Sequence, residues 1–101
     1  MPSSELSAVF CYVYLIRSRV NGNLYIGFTH NLRKRLAEHN NGLNRSTKPY
    51  VPWELIYYEA HRSYVDGRRR EKYLKTTAGE RALRRMLQDD FKDLSRQKVY
   101  Y

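Results

Sequence analysis

The chain is poor in cysteine, proline, glycine, tryptophan and acid. One cysteine, Cys11, in 101 residues excludes an intramolecular disulfide and any Cys₂His₂ or Cys₄ zinc site. No apolar run approaches the length of a membrane span. Met1 to Glu5 shows no basic region leading into an apolar core, so no secretory leader is expected. There is no internal repeat, low-complexity segment or interdomain linker. The Gly-x-x-x-x-Gly-Lys-Ser/Thr loop that cradles nucleotide phosphates is absent, as is His-Glu-x-x-His spacing among His30, His39 and His61. Ser46 and Thr47 lack a nucleophile elbow, and Cys11 inside a strand is a packing residue. What remains is 42% hydrophobic and 14% aromatic, with ten tyrosines. That supplies one modest core and is too apolar for a disordered tail. The expectation is a single domain over 1–101, intracellular and cytoplasmic, with no membrane contact.

Charge narrows the partners. Nineteen basic residues against ten acids give a net charge of +9, which points to a polyanion, first of all nucleic acid. The stretches 31–50 and 61–86 hold 14 of the 19 bases and only 4 of the 10 acids. A solvated helix face is the plainer alternative. Charge alone separates neither DNA from RNA nor binding from cutting.

Local signals give an element order. Val9 to Ile16 is β-branched and aromatic, which predicts a strand. Asn21-Gly22 is a hairpin signal, because a type I′ turn needs positive φ at both central residues. Leu24 to Phe28 is the returning strand. Asn31 caps a helix through Asn40, with Leu32 and Leu36 as its apolar pair and Asn41-Gly42 as its stop. Gly42 to Pro52 is a polar loop, and Trp53 to Glu59 a third strand. Helices follow over Tyr64 to Thr76 and Glu80 to Phe91. The order β-β-α-β-α-α predicts an α+β fold, a small three-stranded, mainly antiparallel sheet flanked by helices.

Three features gather polar chemistry. A two-residue loop at Asn21-Gly22 pairs Val20 with Asn23 and sets Gly27 opposite Ile16, with Tyr14 opposite Thr29. Side-chain alternation then places Tyr12, Tyr14, Ile16, Tyr25 and Gly27 on one face. Two phenols thus share a face with a bare patch of main chain, although two core tyrosines with hydroxyls satisfied at the edge are the simpler explanation of the pattern. On the first helix, Arg35 and His39 stack four apart and flank the Leu32/Leu36 stripe, while Arg33 and Lys34 point away. An arginine beside the core needs an anionic partner or phosphate, unless it snorkels over the core edge. On the second helix, Glu71 is a lone acid among Arg68, Arg69, Arg70, Lys72 and Lys75. It shares a small, apolar face with Tyr64, Gly67, Leu74 and Ala78. A carboxylate facing inward must find a metal, a donor or a cation such as Arg35.

These residues resemble the GIY-YIG nucleases. Tyr25-Ile26-Gly27 matches the second half of the family signature. Tyr12-Val13-Tyr14 stands for the first half, strictly only at Tyr14, and ten residues separate Tyr14 from Tyr25. Leu32-x-x-Arg35 and His39 follow at the expected distances. Asn40-Asn41-Gly42, Ser46-Thr47-Lys48, Pro52-Trp53-Glu54-Leu55, Tyr57-Tyr58-Glu59 and Arg70-Glu71-Lys72 resemble the small standalone bacterial members. These in turn are similar to the N-terminal nuclease domain of the excision-repair endonuclease subunit. The resemblance covers about 10–87 of the chain.

The resemblance implies hydrolysis of DNA phosphodiester bonds with one divalent cation, Mg²⁺ or alternatively Mn²⁺, held by Glu71. Tyr14 is then the general base and Arg35 the transition-state stabiliser, with Tyr25 and His39 positioning water or phosphate. Gly27, Lys48, Arg69, Lys72 and Lys75 are the expected nucleic-acid contacts. The alternative is a non-catalytic nucleic-acid-binding module on the same fold. Three departures stand out. No asparagine follows Asn44, so the family asparagine is vacant or replaced, for instance by Lys75. Phe28 occupies a position that is lysine in excision-repair members. Gly67 replaces the usual alanine. Substrate structure, RNA as substrate and oligomeric state stay open.

Overall fold

The computed structural model describes residues 10–92. It contains β1 (Cys11–Ser18), β2 (Leu24–Thr29), α1 (Leu32–Asn40), a 3₁₀ turn (Lys48–Tyr50), β3 (Trp53–His61), α2 (Tyr64–Leu74) and α3 (Thr77–Met86). This is the α+β order expected from the sequence. Val9, the expected start of β1, lies outside the described residues. The chain forms two compact units, divided between Glu71 and Lys72.

The first unit is built on one antiparallel sheet of order β2-β1-β3. β1 is central, and Cys11, Val13, Tyr14, Leu15 and Ile16 are all buried. That explains its unbroken apolar and aromatic run: both faces are covered, so neither needs polar alternation. Tyr14, Ile16 and Trp53 form a core with Tyr25, Leu32, Leu36, Val51 and Leu55 around it. On the opposite face, α2 approaches at Gly67. A Cβ there would lie 2.8 Å from Phe28 Cε1 and 3.1 Å from Cys11 Sγ, so the glycine lets the helix sit close.

β3 serves both faces because of a bulge. Ile16 pairs with Leu55 but Leu15 with Tyr57, which leaves Ile56 as the extra residue. One inserted residue reverses the facing of all that follows. Trp53 and Leu55 therefore join the Tyr14 core, while Tyr57, Glu59 and His61 face the Leu15 side. There Arg70 of α2 grips Glu59 through three hydrogen bonds of 2.8 to 3.1 Å.

The hairpin register differs from the sequence expectation. Tyr14 pairs with Gly27 and Ile16 with Tyr25. The connection is longer than two residues. Ser18 N–H donates to the Asn23 carbonyl and Gly22 N–H to the Ser18 carbonyl, both at 2.9 Å. Ser18 Oγ also accepts from Val20 N–H at 3.0 Å, and Asn21 Oδ1 from Asn23 N–H at 3.0 Å. Only Gly22 takes positive φ, at 78°, so the type I′ turn does not form. Side-chain bonds to the loop amides outcompete it.

α1 follows its signals. Asn31 Oδ1 accepts from Lys34 N–H at 3.0 Å, and Gly42 turns the chain at φ 73°. The expected loop over 42–52 contains the 3₁₀ turn, and β3 runs on to His61 because Cys11 pairs with it. α2 stops at Leu74, two residues early. In the second unit α3 starts at Thr77 instead of Glu80, since Thr76 Oγ1 accepts from Gly79 N–H at 3.0 Å and caps it. Leu74 and Leu83 are buried there.

Candidate active site

Tyr14 stands at the middle of β1, and its phenol lies across Gly27 on β2. A Cβ at Gly27 would overlap the Tyr14 ring carbon and hydroxyl, so only glycine leaves room. The Tyr14 hydroxyl lies 2.7 Å from His39 Nε2. His39 comes from the last turn of α1 and is wholly buried. Its ring meets the Tyr25 ring edge-on at 5.1 Å, and Tyr25 meets Trp53 at 6.3 Å. One turn earlier on α1, the Arg35 guanidinium is near enough for its charge to act on the Tyr14 hydroxyl. The i, i+4 spacing of Arg35 and His39 thus brings a cation and an imidazole to one phenol.

The electrostatics follow from burial. Desolvation pushes Tyr14 up to about 12; Arg35 pulls it down, while Tyr25 and the Glu71 carboxylate add to the rise. Burial also drives His39 down to about 4, assisted by the Arg35 charge and opposed by Glu38. His39 is therefore neutral at physiological pH. Arg35 finds its anionic partner in Glu38, at 2.9 Å.

Glu71 projects from α2 with its side chain 13% exposed and bonds Arg68 Nη1 at 2.9 Å. Its cation is thus Arg68 rather than Arg35. Gly67 and Leu74 are buried beside it on the helix, as expected, but Tyr64 and Ala78 are exposed. Tyr64 instead stacks on His30 and meets Phe28 edge-on. Among the described residues no three His, Cys, Asp or Glu side chains converge as a metal cage.

Tyr14 and His39 are thus in direct contact, Tyr25 packs on His39, and Arg35 and Glu71 act on Tyr14 through their charges. The expected nucleic-acid contacts differ in their surroundings. Gly27 is buried beneath the Tyr14 ring. Lys48, at the start of the 3₁₀ turn, is exposed. Arg69 is exposed and pairs with Asp66 at 3.0 Å. Lys72 and Lys75 are exposed in the second unit. Sequence reasoning passed over two residues of the site. Thr47 Oγ1 lies 2.8 Å from His39 Nδ1, and Glu38 balances Arg35. The only signal for Glu38 was its i+3 spacing from Arg35. Thr47 had none beyond its place in the Ser46-Thr47-Lys48 triplet.

The small antiparallel sheet thus carries a phenol that meets an imidazole from α1, with a guanidinium one turn earlier on that helix and a shielded carboxylate on α2. Residues 10–84 match the family model described as the GIY-YIG catalytic domain. The chain belongs to the GIY-YIG family, a nuclease family that generally uses divalent metal, and nucleic acid is the substrate such a domain implies. Within the family it is similar to small standalone bacterial proteins. A UPF0213 protein of Clostridium perfringens is 37% identical over 65 residues, 63% of this chain and 69% of that protein. One from Staphylococcus haemolyticus is 36% identical over 74 residues, 72% of this chain and 89% of the other. One from Staphylococcus saprophyticus is 31% identical over the same length. No solved structure matches the chain. Among the described residues no helix is long and apolar enough to cross a membrane.

Proposed function

We propose that this protein is a metal-dependent endonuclease that hydrolyses DNA phosphodiester bonds. The observation that carries the reading is the buried Tyr14 hydroxyl, 2.7 Å from a neutral imidazole and under the charge of the Arg35 guanidinium. A module that only binds a polyanion needs exposed cations. It has no use for a phenol tied to His39, and a shielded carboxylate would repel its ligand.

Tyr14 is the general base for the attacking water. Arg35, whose charge already acts on Tyr14, places positive charge where the phosphoryl oxygens gain negative charge in the transition state. His39 orients the phenol, and Tyr25 packs against His39 and borders the reacting groups. Glu71 is the residue that would hold the cation. A single carboxylate suits a hard, hydrated ion such as Mg²⁺, or Mn²⁺ in its place, whose remaining ligands are waters and substrate oxygens. When bound, such an ion would supply positive charge to offset the developing charge on the leaving oxygen. The exposed Lys48, Arg69, Lys72 and Lys75 contact phosphates and contribute affinity without base readout.

The test is cleavage of fluorescent duplex, flap, bubble, single-stranded DNA and RNA with Mg²⁺, Mn²⁺ or EDTA, for wild type and Glu71→Ala. Metal-dependent nicking of DNA that disappears in the variant supports the reading and identifies the preferred structure. Binding that survives EDTA and the substitution, with no cleavage of any substrate, overturns it in favour of a basic binding module.

A further inference from the structure

The Tyr14–His39 contact continues inward. His39 Nδ1 meets Thr47 Oγ1 at 2.8 Å, and Thr47 is 1% exposed. Thr47 is itself anchored. The Trp53 indole N–H donates to its carbonyl at 2.9 Å. The Trp53 backbone in turn exchanges bonds of 2.6 and 3.0 Å with the Asn40 side-chain amide. The loop after α1 is thereby held against β3 with the threonine hydroxyl facing the imidazole.

A neutral imidazole has one N–H and one lone pair, so its two contacts must run in opposite senses. If Nε2 carried the proton, the Tyr14 oxygen would receive a bond from His39. Its own proton would then find no acceptor among the described residues. If Nδ1 carries the proton, every group is matched. Tyr14 O–H donates to Nε2, and Nδ1–H donates to Thr47 Oγ1. The Thr47 O–H is then directed at the Asn44 carbonyl, 3.4 Å away. That last contact is long, and the same carbonyl also accepts the Lys48 N–H at 2.9 Å; the Tyr14 end decides the assignment. In the protein without substrate, a buried hydroxyl proton with no protein acceptor disfavours the first arrangement.

We propose that Thr47 is a positioning residue that fixes His39 in the Nδ1–H tautomer and leaves Nε2 to receive the Tyr14 proton. The consequence for catalysis rests on the nuclease reading above. A phenol cannot take a proton from water while it keeps its own, and burial stops Tyr14 from waiting as phenolate. As Tyr14 oxygen takes a proton from the attacking water, the Tyr14 O–H bond breaks and that proton passes to Nε2. The water oxygen bonds to phosphorus, and the bond from phosphorus to the 3′-oxygen breaks, that oxygen gaining a proton from solvent. His39 then returns its proton to Tyr14, which releases the water-derived one.

The test compares wild type, Thr47→Val and Thr47→Ser. Long-range ¹⁵N–¹H spectra of the labelled protein near pH 7 report which His39 nitrogen is protonated, without any substrate. Protonated Nδ1 in wild type and Thr47→Ser, with a shift toward protonated Nε2 in Thr47→Val, is the expected result. In the cleavage assay Thr47→Val should lower kcat about 10- to 100-fold with KM little changed, and Thr47→Ser should restore most of the rate. Protonated Nε2 in wild type overturns the proposal, as does a Thr47→Val protein with the wild-type spectrum and kcat. Wild type that cleaves nothing overturns the nuclease reading instead, and the wild-type spectrum alone then decides the tautomer. A Thr47→Val variant that does not fold leaves the wild-type and Thr47→Ser spectra to decide it.

Discussion

Replacing Glu59 by glutamine tests how α2 is held to the sheet. Glu59 is the hub of a partly buried network. It accepts two bonds from Arg70 Nε, one from Arg70 Nη2, one from Tyr57 Oη at 2.9 Å and one from His61 Nε2 at 3.0 Å. Burial raises its pKa, but the donors outweigh burial and hold it at about 2, against an ordinary 4.5. The side chain is only 14% exposed, so solvent screens the network weakly. A difference of that size corresponds to about 3 kcal/mol favouring the folded state when the group is ionised. The folded value lies below the unfolded one. The contribution is therefore complete above about pH 4.5 and disappears as pH falls toward about 2. Urea unfolding followed by circular dichroism from pH 7 to 2 measures it. Glu59→Gln should be less stable than wild type by about 3 kcal/mol at pH 7, a large share of the total for a protein this size. The two curves should converge near pH 2. A constant gap across that range, or none at pH 7, would refute the argument that the charge of Glu59 secures α2.

Two further outcomes follow from the site. Gly27→Ala forces the Tyr14 ring off the β2 backbone and breaks its bond to His39. Unfolding should show a loss of about 1–3 kcal/mol, and cleavage should fall to the level of Tyr14→Phe; a fully active Gly27→Ala would contradict the close packing. His39 has its folded pKa depressed to about 4, so protonation favours the unfolded chain. Stability should decline as pH drops from about 6.5 to about 4, and His39→Gln should flatten that part of the pH–stability curve.

Much of the architecture was legible because its causes are local. Asn31 caps α1 through its own side chain, and the Leu32/Leu36 stripe fixes which face is buried. Arg35 and His39 then necessarily share an edge of that stripe. The hairpin was legible in its facing but not its register. Asn21-Gly22 fits a tight turn, yet Ser18 Oγ and Asn21 Oδ1 bind the loop amides and lengthen it. The resulting shift is two residues, and a strand alternates with period two. Tyr14, Tyr25 and Gly27 therefore kept their common face although their partners changed.

The sequence by itself determined the fold class, the order of elements and, for β1, β2 and α1, which side chains lie on the buried faces. Those properties depend on periodicity and on caps a few residues long. Only the tertiary structure decided which polar atoms meet. Tyr14 reaches His39 from 25 residues away, Arg70 reaches Glu59 across 11, and Thr47 turns its hydroxyl to His39 because Trp53 holds its carbonyl. Hydrogen bonds require alignment within a few tenths of an ångström. That alignment is set by how helix, loop and sheet pack together, and spacing along the chain does not contain it.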